Sequence, residues 1–233
     1  MIIALNNKSN LTKQEFIQYQ NNISDIVCKS ELILCASPIN IAEFNINNCY
    51  LGSQNVSQYD IGAHTGEIAA SQLKSYDVKY CIVGHSERRI EQKETSEETN
   101  KKIKNLLKED ITPILCIGET KEEHENNEAD SKIREDLLSA IKNIEPENIS
   151  KIIIAYEPIF SIGTGIVPTN EEICHVITEI KKFFPDNKVL YGGSANEKNI
   201  EELKKCHQID GFLLGGLSLK TDLLKLFLEK LEN

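Results

Sequence analysis

Glu157 is the residue whose position most favours acid–base chemistry in this 233-residue chain. It follows an apolar run at 152–156 directly and precedes Pro158, with Tyr156 and Phe160 among its apolar neighbours. A carboxylate at the end of a buried strand is partly desolvated, which makes it a better base. The alternative is a surface glutamate at a strand end, and this residue alone does not decide between the two.

His85 follows another apolar run, at 80–83, and is the second candidate. It could act as a general acid, bind a metal or pack in the core, and taken alone the packed interpretation is favoured. The metal interpretation is weak, because a catalytic zinc site needs three protein ligands and neither H-x-H nor H-E-x-x-H spacing occurs. We expect no chemistry from the other histidines, which fall in predicted loops or helices: His64, His124, His175 and His207.

Glycines cluster after the apolar runs, where backbone N–H groups can approach a ligand closely. Gly215 and Gly216 follow the last run, Ser194 follows a glycine pair after the seventh, and Gly163 lies beyond the sixth. Such donors at a helix start form a phosphate cradle, although turn glycines without a ligand are the alternative. Neither G-x-G-x-x-G nor a Walker A sequence is present, so no dinucleotide or nucleoside triphosphate is implied.

Lys8 is the only cation expected early at a strand end. The chain carries 26 Lys and Arg against 36 Asp and Glu, a net charge of −10, so its general field repels an anionic substrate. Lys8 and the helix N-termini would supply the local positive potential that draws such a substrate in. The same acidic balance argues against nucleic-acid binding.

The composition, 40% hydrophobic and 27% charged, is typical of a folded chain. We expect no membrane span, because no uncharged apolar run approaches the required length of about 18 residues. We also expect no signal peptide, since the N-terminus lacks a cationic segment and a long apolar core. Seven cysteines without C-x-x-C spacing favour reduced, buried thiols in a cytoplasmic protein over a zinc or redox motif.

Eight short apolar runs alternate with segments of helical period, which is typical of parallel strands joined by helices. The runs lie at 2–5, 32–36, 50–52, 80–83, 114–117, 152–156, 189–191 and 211–214. Residues 16, 19, 23, 26 and 27 share one helical face, and Thr95 and Thr169 each begin a capping box. A closed (βα)8 barrel needs this count of strands, whereas a doubly wound sheet does not. We therefore predict an α/β fold, a single closed barrel domain over residues 1–233.

Several segments together make the chain resemble the triosephosphate isomerase family from end to end. The histidine motif and the glutamate-plus-loop motif in this order are highly specific. The matching segments are Asn6-Asn7-Lys8-Ser9-Asn10, Gln54-Asn55-Val56, Gly62-Ala63-His64-Thr65-Gly66-Glu67, Gly84-His85-Ser86-Glu87-Arg88-Arg89, Cys116-Ile117-Gly118-Glu119, Ala155-Tyr156-Glu157-Pro158-Ile159-Phe160-Ser161-Ile162-Gly163-Thr164-Gly165, Tyr191-Gly192-Gly193-Ser194 and Leu214-Gly215-Gly216. The resemblance implies a TIM barrel that interconverts dihydroxyacetone phosphate and D-glyceraldehyde 3-phosphate, in glycolysis and gluconeogenesis, without a metal or an organic cofactor.

The resemblance also implies the roles of individual residues. Glu157 would move the proton between neighbouring carbons, and His85 would donate a hydrogen bond to the enediolate oxygens. Lys8 and Asn6 would bind the substrate and stabilise its negative charge. The phosphate would be held by four residues: Gly163, Ser194, Gly215 and Gly216.

A lid and a subunit contact follow from the same resemblance. Residues 158–168 would close over the site and exclude water, and the loop 55–67 would insert into a second subunit, giving a homodimer. Four residues depart from the family pattern and leave lid kinetics and dimer strength open: Asn7 and His64 in place of aromatic residues, Phe160 in place of tryptophan and Ile166 in place of lysine.

Two other functions compete with the isomerase. A lyase or aldolase on the same scaffold would need a barrel lysine for a Schiff base, and Lys8 is the only strand-end lysine. A non-catalytic phosphate-binding protein is the second alternative, although the full set of polar groups at the barrel mouth argues against it.

Overall fold

Strands and helices alternate along the chain in the computed structural model, which describes residues 1–161 and 168–233. All eight apolar runs form strands, within two residues of the predicted bounds. The strands are β1 (Ile2–Asn6), β2 (Glu31–Ala36), β3 (Tyr50–Ser53), β4 (Tyr80–Val83), β5 (Thr112–Ile117), β6 (Ile153–Tyr156), β7 (Val189–Tyr191) and β8 (Gly211–Leu214).

Helices of very different length cover the outside of the strands. They are α1 (Lys13–Ser24), α2 (Ala70–Lys74), α3 (Ser86–Glu91), α4 (Ser96–Lys108), α5 (Lys121–Glu125), α6 (Ala129–Ala140), α7 (Pro146–Ile149), α8 (Asn170–Phe183), α9 (Ile200–Leu203) and α10 (Thr221–Glu232). Short 3-10 turns occur at Pro38–Glu43, Ile159–Ser161 and Gly216–Leu219. In the described part of the chain, no helix has both the length and the apolar character needed to cross a bilayer.

The helix starts follow the predicted caps, whereas one helix end does not follow the apolar pattern. Thr95 and Thr169 form complete capping boxes at the starts of α4 and α8, as predicted. The prediction that Val27 lies on the buried face of α1 is wrong, because α1 ends at Ser24 and Val27 is 98% exposed. Once the helical period stops, the apolar spacing no longer places a side chain on the buried face.

The eight strands are all parallel and close into a barrel in sequence order, which confirms the predicted fold. β1 pairs with β2 on one side and with β8 on the other, so no sheet edge is left. Gly211 is needed at this last seam, since a Cβ there would lie 1.9 Å from the carbonyl oxygen of Ile2. The doubly wound alternative, which has two free edges, is excluded.

Alternate residues of each strand point to opposite faces and form two separate apolar layers. Ala4, Ile33 and Ile114 belong to the layer inside the barrel, while Ile3 and Leu5 pack outward against the helices. Because both faces of every strand are covered, the strands read as continuous apolar runs in the sequence. The barrel interior is therefore a packed core, and polar groups gather beyond the strand ends.

The expectation of seven reduced thiols is wrong for two cysteines. Cys174 in α8 and Cys206, just after α9, form a disulfide across a sequence separation of 32 residues, with their Cα atoms 5.6 Å apart. Both lie on the helical layer, so their closeness arises from helix packing rather than from any local motif. The remaining five cysteines are thiols: Cys28, Cys35, Cys49, Cys81 and Cys116.

Candidate active site

The carboxyl ends of the strands open into a cavity of about 500 Å³. Because all strands are parallel, the residues that follow them meet at this one end of the barrel. The cavity is lined by seven of the residues expected from the sequence: Asn6, Lys8, His85, Glu157, Ser194, Gly215 and Gly216. Gly163, the remaining expected residue, lies outside the described residues, as do 162–167 of the predicted lid.

Glu157 follows β6 and is only 3% exposed. Its backbone N–H donates to the carbonyl of Ile117 in the neighbouring strand at 2.7 Å, which fixes where the side chain begins. The Oε2 atom is buried and finds no hydrogen-bond partner among the described residues. Such an unpaired carboxylate oxygen keeps its lone pairs free to accept a proton from a ligand.

Two glycines make room for Glu157. A Cβ on Gly118 would lie 1.8 Å from the Glu157 carbonyl oxygen, and a Cβ on Gly192 would lie 2.6 Å from its Cγ. Both distances are far below van der Waals contact, so no larger residue fits without displacing the glutamate. The glycines after β5 and β7 therefore allow the carboxylate to sit between them.

His85 sits at the N-cap of α3, where its imidazole is oriented by the backbone. Its Nδ1 accepts the N–H of Glu87 at 3.2 Å, so Nδ1 carries no proton. A neutral imidazole in this tautomer carries its proton on Nε2. Nε2 lies 3.4 Å from Oε1 of Glu157, so the His85 donor and the Glu157 carboxylate are direct neighbours.

Lys8 reaches the cavity from a strained backbone position two residues after the end of β1. Its φ of 52° is in the left-handed region, which is uncommon outside glycine. The side chain of Asn6 accepts the Lys8 N–H at 3.1 Å, and Gln54 donates to the Lys8 carbonyl at 2.9 Å. The ammonium pairs with Glu87, so the cation is held at the cavity wall.

The loops after β7 and β8 form the part of the cavity wall that continues from Lys8. Ser194 donates its hydroxyl to the carbonyl of Ser161 at 3.1 Å, which ties the loop after β7 to the described end of the predicted lid. Gly216 begins a short 3-10 turn, and a Cβ there would meet no atom within 4 Å. The backbone of Gly215 and Gly216 is thus open to a ligand.

Two lysines also line the cavity, and the sequence analysis did not single them out. Lys198 and Lys220 stand on the outer rim beside the glycine loops. The signal that could have found them is their spacing, since each lies four residues after Ser194 or Gly216. Together with Lys8 they place three lysines on a cavity that Glu157 and Glu197 also line.

Glu119 is a buried carboxylate beside the site rather than in it. It accepts the hydroxyl of Tyr156 at 3.0 Å and lies 3.6 Å from Nδ1 of His124. Burial raises the pKa of Glu119, and the hydrogen bond from Tyr156 only partly offsets this rise. His124, whose ring centroid lies 4.4 Å from that of Phe160, connects Glu119 to the start of the predicted lid.

The departures from the family pattern fall at separate places. Asn7 is buried beside the cavity, and the His64 ring stacks on Tyr59 at 4.1 Å within the loop 55–67. Phe160 is buried and contacts His124. Ile166 lies outside the described residues. The three described departures therefore have different neighbours. Asn7 is the one next to candidate site residues, because it lies between Asn6 and Lys8 in the sequence.

Comparison with known proteins identifies the family of the chain. The sequence profile described as triosephosphate isomerase matches residues 1–231. The triosephosphate isomerase of Alkaliphilus oremlandii is 38% identical over 236 aligned positions, covering 95% of each chain. That of Mesomycoplasma hyorhinis is 41% identical over 212 positions, covering 90% of this chain and 85% of the relative. That of Mycoplasmopsis agalactiae is 47% identical over 175 positions, covering 74% and 67%. This chain therefore belongs to the triosephosphate isomerase family, whose members are isomerases.

Proposed function

We propose that this chain interconverts dihydroxyacetone phosphate and D-glyceraldehyde 3-phosphate, as a step of glycolysis and gluconeogenesis. The observation that carries the proposal is the 3.4 Å separation of the Glu157 carboxylate from Nε2 of His85, both facing one cavity. Glu157 takes a proton from the carbon next to the carbonyl and returns it to the neighbouring carbon. The intermediate between these two transfers is an enediolate. The proposed reaction uses no metal and no organic cofactor.

His85 acts in this proposal as a neutral hydrogen-bond donor. The N–H of Glu87 occupies Nδ1, which leaves the Nε2 proton for the two oxygens of the enediolate. A donor held in place before the reaction needs no reorganisation as charge develops on the oxygen. The same nitrogen can serve both oxygens in turn, because they are on adjacent carbons.

Lys8 and Asn6 bind the substrate and stabilise its negative charge. Ser194, Gly215 and Gly216 hold the phosphate group through their N–H groups, an arrangement that the open backbone at Gly216 supports. Gly163 completes this phosphate set on the strength of the resemblance alone. The dianion would thus anchor the substrate at one wall while its carbons face Glu157.

The Schiff-base alternative is less well supported. It needs a lysine with a free amine as nucleophile. Lys8 instead forms an ion pair with Glu87 at 2.5 Å, which uses its ammonium form. The geometry therefore favours proton transfer over covalent catalysis.

We also propose that the chain acts as one domain over residues 1–233, in the cytoplasm, as a homodimer formed through the loop 55–67. Closure of the barrel between β1 and β8 supports one domain, because it joins the two ends of the chain. Tyr59 and Ile61 support the dimer, since they are 44% and 72% exposed in this loop, a high exposure for large apolar side chains.

A coupled assay of triose phosphate interconversion tests the proposed function. The purified chain should convert either triose phosphate, and Glu157→Gln should lower kcat by at least about 10²–10⁴-fold, the usual effect of losing a general base. Near-normal turnover by Glu157→Gln would reject the assignment. Phosphoglycolate binding without any isomerisation would favour a non-catalytic protein, and borohydride trapping of a covalent adduct would favour the Schiff-base route. Sedimentation in parallel tests the dimer.

A further inference from the structure

Asn7 forms a buried hydrogen bond across the barrel seam. It lies between Asn6 and Lys8, is 3% exposed, and donates its side-chain N–H to the hydroxyl oxygen of Ser218 at 3.1 Å. Ser218, in the turn after β8, is fully buried and 211 residues away along the chain. The bond therefore connects the loop that carries Lys8 to the loop that carries the phosphate glycines.

Ser218 passes this connection on to Gly215. Its hydroxyl lies 2.6 Å from the carbonyl oxygen of Gly215 and 3.3 Å from that of Asn6. A hydroxyl has one proton to donate, and the shorter distance assigns it to Gly215. The lone pairs of the same oxygen then accept from Asn7, so one chain of hydrogen bonds runs from Asn7 through Ser218 to Gly215.

The orientation of the Gly215 carbonyl determines a proposed phosphate donor. The carbonyl of Gly215 and the N–H of Gly216 belong to the same planar peptide unit and point in opposite directions. This carbonyl accepts the backbone N–H of Ser218 at 2.9 Å as well as its hydroxyl, and holding it aims the N–H of Gly216. This restraint matters because two successive glycines have unusual backbone freedom, and Gly215 itself has the uncommon ψ of −99°.

Asn7, where the hydrogen-bond chain begins, directly precedes Lys8 in the sequence. A Cβ placed on Gly215 would lie only 3.4 Å from Cε of Lys8, so the glycine loop and the lysine stem are close neighbours. Asn7 is bonded in sequence to Lys8 and also accepts, through its carbonyl, the side-chain N–H of Asn10 at 2.8 Å. Asn7 is thus held by Ser218 through its side chain and by Asn10 through its backbone carbonyl.

We infer that Asn7 and Ser218 are positioning residues that set the separation of the Lys8 ammonium from the Gly216 N–H, and with it the affinity for the phosphate group. The inference rests on the proposed function, because it takes Lys8 and Gly216 as groups that contact the substrate. Neither Asn7 nor Ser218 is among the residues that line the cavity. Their hydrogen bonds join the loop that carries Lys8 to the loop that carries Gly216.

Binding of 2-phosphoglycolate, measured by calorimetry, tests the inference without needing turnover. Asn7→Ala and Ser218→Ala should each raise its dissociation constant by about fivefold to tenfold, the effect of one buried hydrogen bond. The double variant should show little further weakening, because both single changes break the same chain of bonds. In steady-state assays KM should rise by a similar factor while kcat changes much less.

Asn7→Asp keeps the size of the side chain, so a change in its affinity for phosphoglycolate does not come from a cavity left in the fold. The carboxylate cannot donate to Ser218 and instead draws the hydroxyl proton away from Gly215, so the dissociation constant should rise as it does in Asn7→Ala. Asn187→Ala is the matched control, since Asn187 is equally buried and donates to the carbonyls of Ile149 and Ile152. It should lower the melting temperature without changing the dissociation constant.

The outcomes separate this inference from the proposed function. Wild-type affinity in Asn7→Ala, Asn7→Asp and Ser218→Ala overturns the inference while leaving an active enzyme as proposed. A wild-type chain that binds phosphoglycolate without isomerising it overturns the proposed function, and the variants then still decide the inference. A wild-type chain that binds no phosphoglycolate overturns both. Equal weakening by Asn187→Ala assigns the effect to general destabilisation and also overturns the inference.

Discussion

The ammonium of Lys8 lies 2.5 Å from a carboxylate oxygen of Glu87, 79 residues later in the chain. Glu87 at the same time donates its backbone N–H to Nδ1 of His85. One residue at the start of α3 therefore contacts both the cation and the imidazole of the candidate site. We therefore expect a substitution of Lys8, His85 or Glu87 to alter the positions of the other two side chains.

Lys8→Met should show what the cation contributes. The methionine keeps the apolar stem but removes the charge at the cavity wall, so we expect kcat/KM to fall by at least about a hundredfold, as for other lost electrostatic stabilisers. The free energy of unfolding should change by less than about 1 kcal/mol, because the ion pair is partly exposed. Steady-state kinetics and urea unfolding measure the two quantities. Retention of kcat/KM to within about twofold would contradict the proposed role.

Gly192→Ala tests the packing around the base. The new Cβ would lie 2.6 Å from Cγ of Glu157 and must displace the carboxylate. Since a shift of about 1 Å can cost about a hundredfold in rate, we expect a fall of that order in kcat. Affinity for phosphoglycolate should change far less, because the methyl group faces the glutamate. An unchanged kcat with a raised KM would argue that Gly192 serves binding instead.

Glu94 makes stability depend on pH in a defined direction. Burial by itself would raise the pKa of this carboxyl, but the hydrogen bonds and charges of Lys102 and Arg88 outweigh burial and lower it below its usual value of 4.5. A lowered folded pKa contributes stability that is present above about pH 4.5 and is lost as the pH falls through the folded pKa. We expect Glu94→Gln to lose about 3–5 kcal/mol at pH 7, since it leaves the buried Lys102 ammonium without its charge partner.

Urea unfolding of the wild type and Glu94→Gln at pH 7 and at a series of pH values below 4.5 measures this dependence. The difference between the two proteins should shrink as the pH falls, because protonation removes the same charge from the wild type. Lys101→Met is a suitable control. Lys101 pairs with Glu97 on the exposed face of α4, the helix that carries Lys102, so this substitution should alter the free energy of unfolding little. A difference that is constant with pH would contradict the account.

The disulfide between Cys174 and Cys206 predicts a specific count of reactive thiols. Alkylation of the unfolded, unreduced chain should modify five cysteines, and prior reduction should raise the count to seven. Intact-mass spectrometry distinguishes the two counts, and the Cys174→Ser variant should release one further thiol without reduction. Seven reactive thiols before reduction would restore the original expectation of reduced cysteines.

The strands were predictable because strands buried on both faces need apolar residues throughout, and such runs stand out between polar loops. The end of α1 was less predictable: the apolar spacing continues to Val27, whereas the helix ends at Ser24. The Cys174–Cys206 pair was not predictable at all, since its spacing matches no motif and its closeness depends on how α8 packs. Local patterns thus identify elements better than they identify contacts.

The sequence alone determined the count and order of the strands, the residue types at their ends and the likeness to one family, because these depend on local composition and motifs. Only the tertiary structure decided that His85 Nε2 lies 3.4 Å from Glu157, that Glu87 contacts both Lys8 and His85, and that Asn7 reaches Ser218. Apart from the local bond between Glu87 and His85, those contacts join residues that lie far apart along the chain. These long-range contacts arise because all eight strands are parallel and closed into one barrel, which brings their carboxyl ends together, and no local pattern can encode the resulting distances.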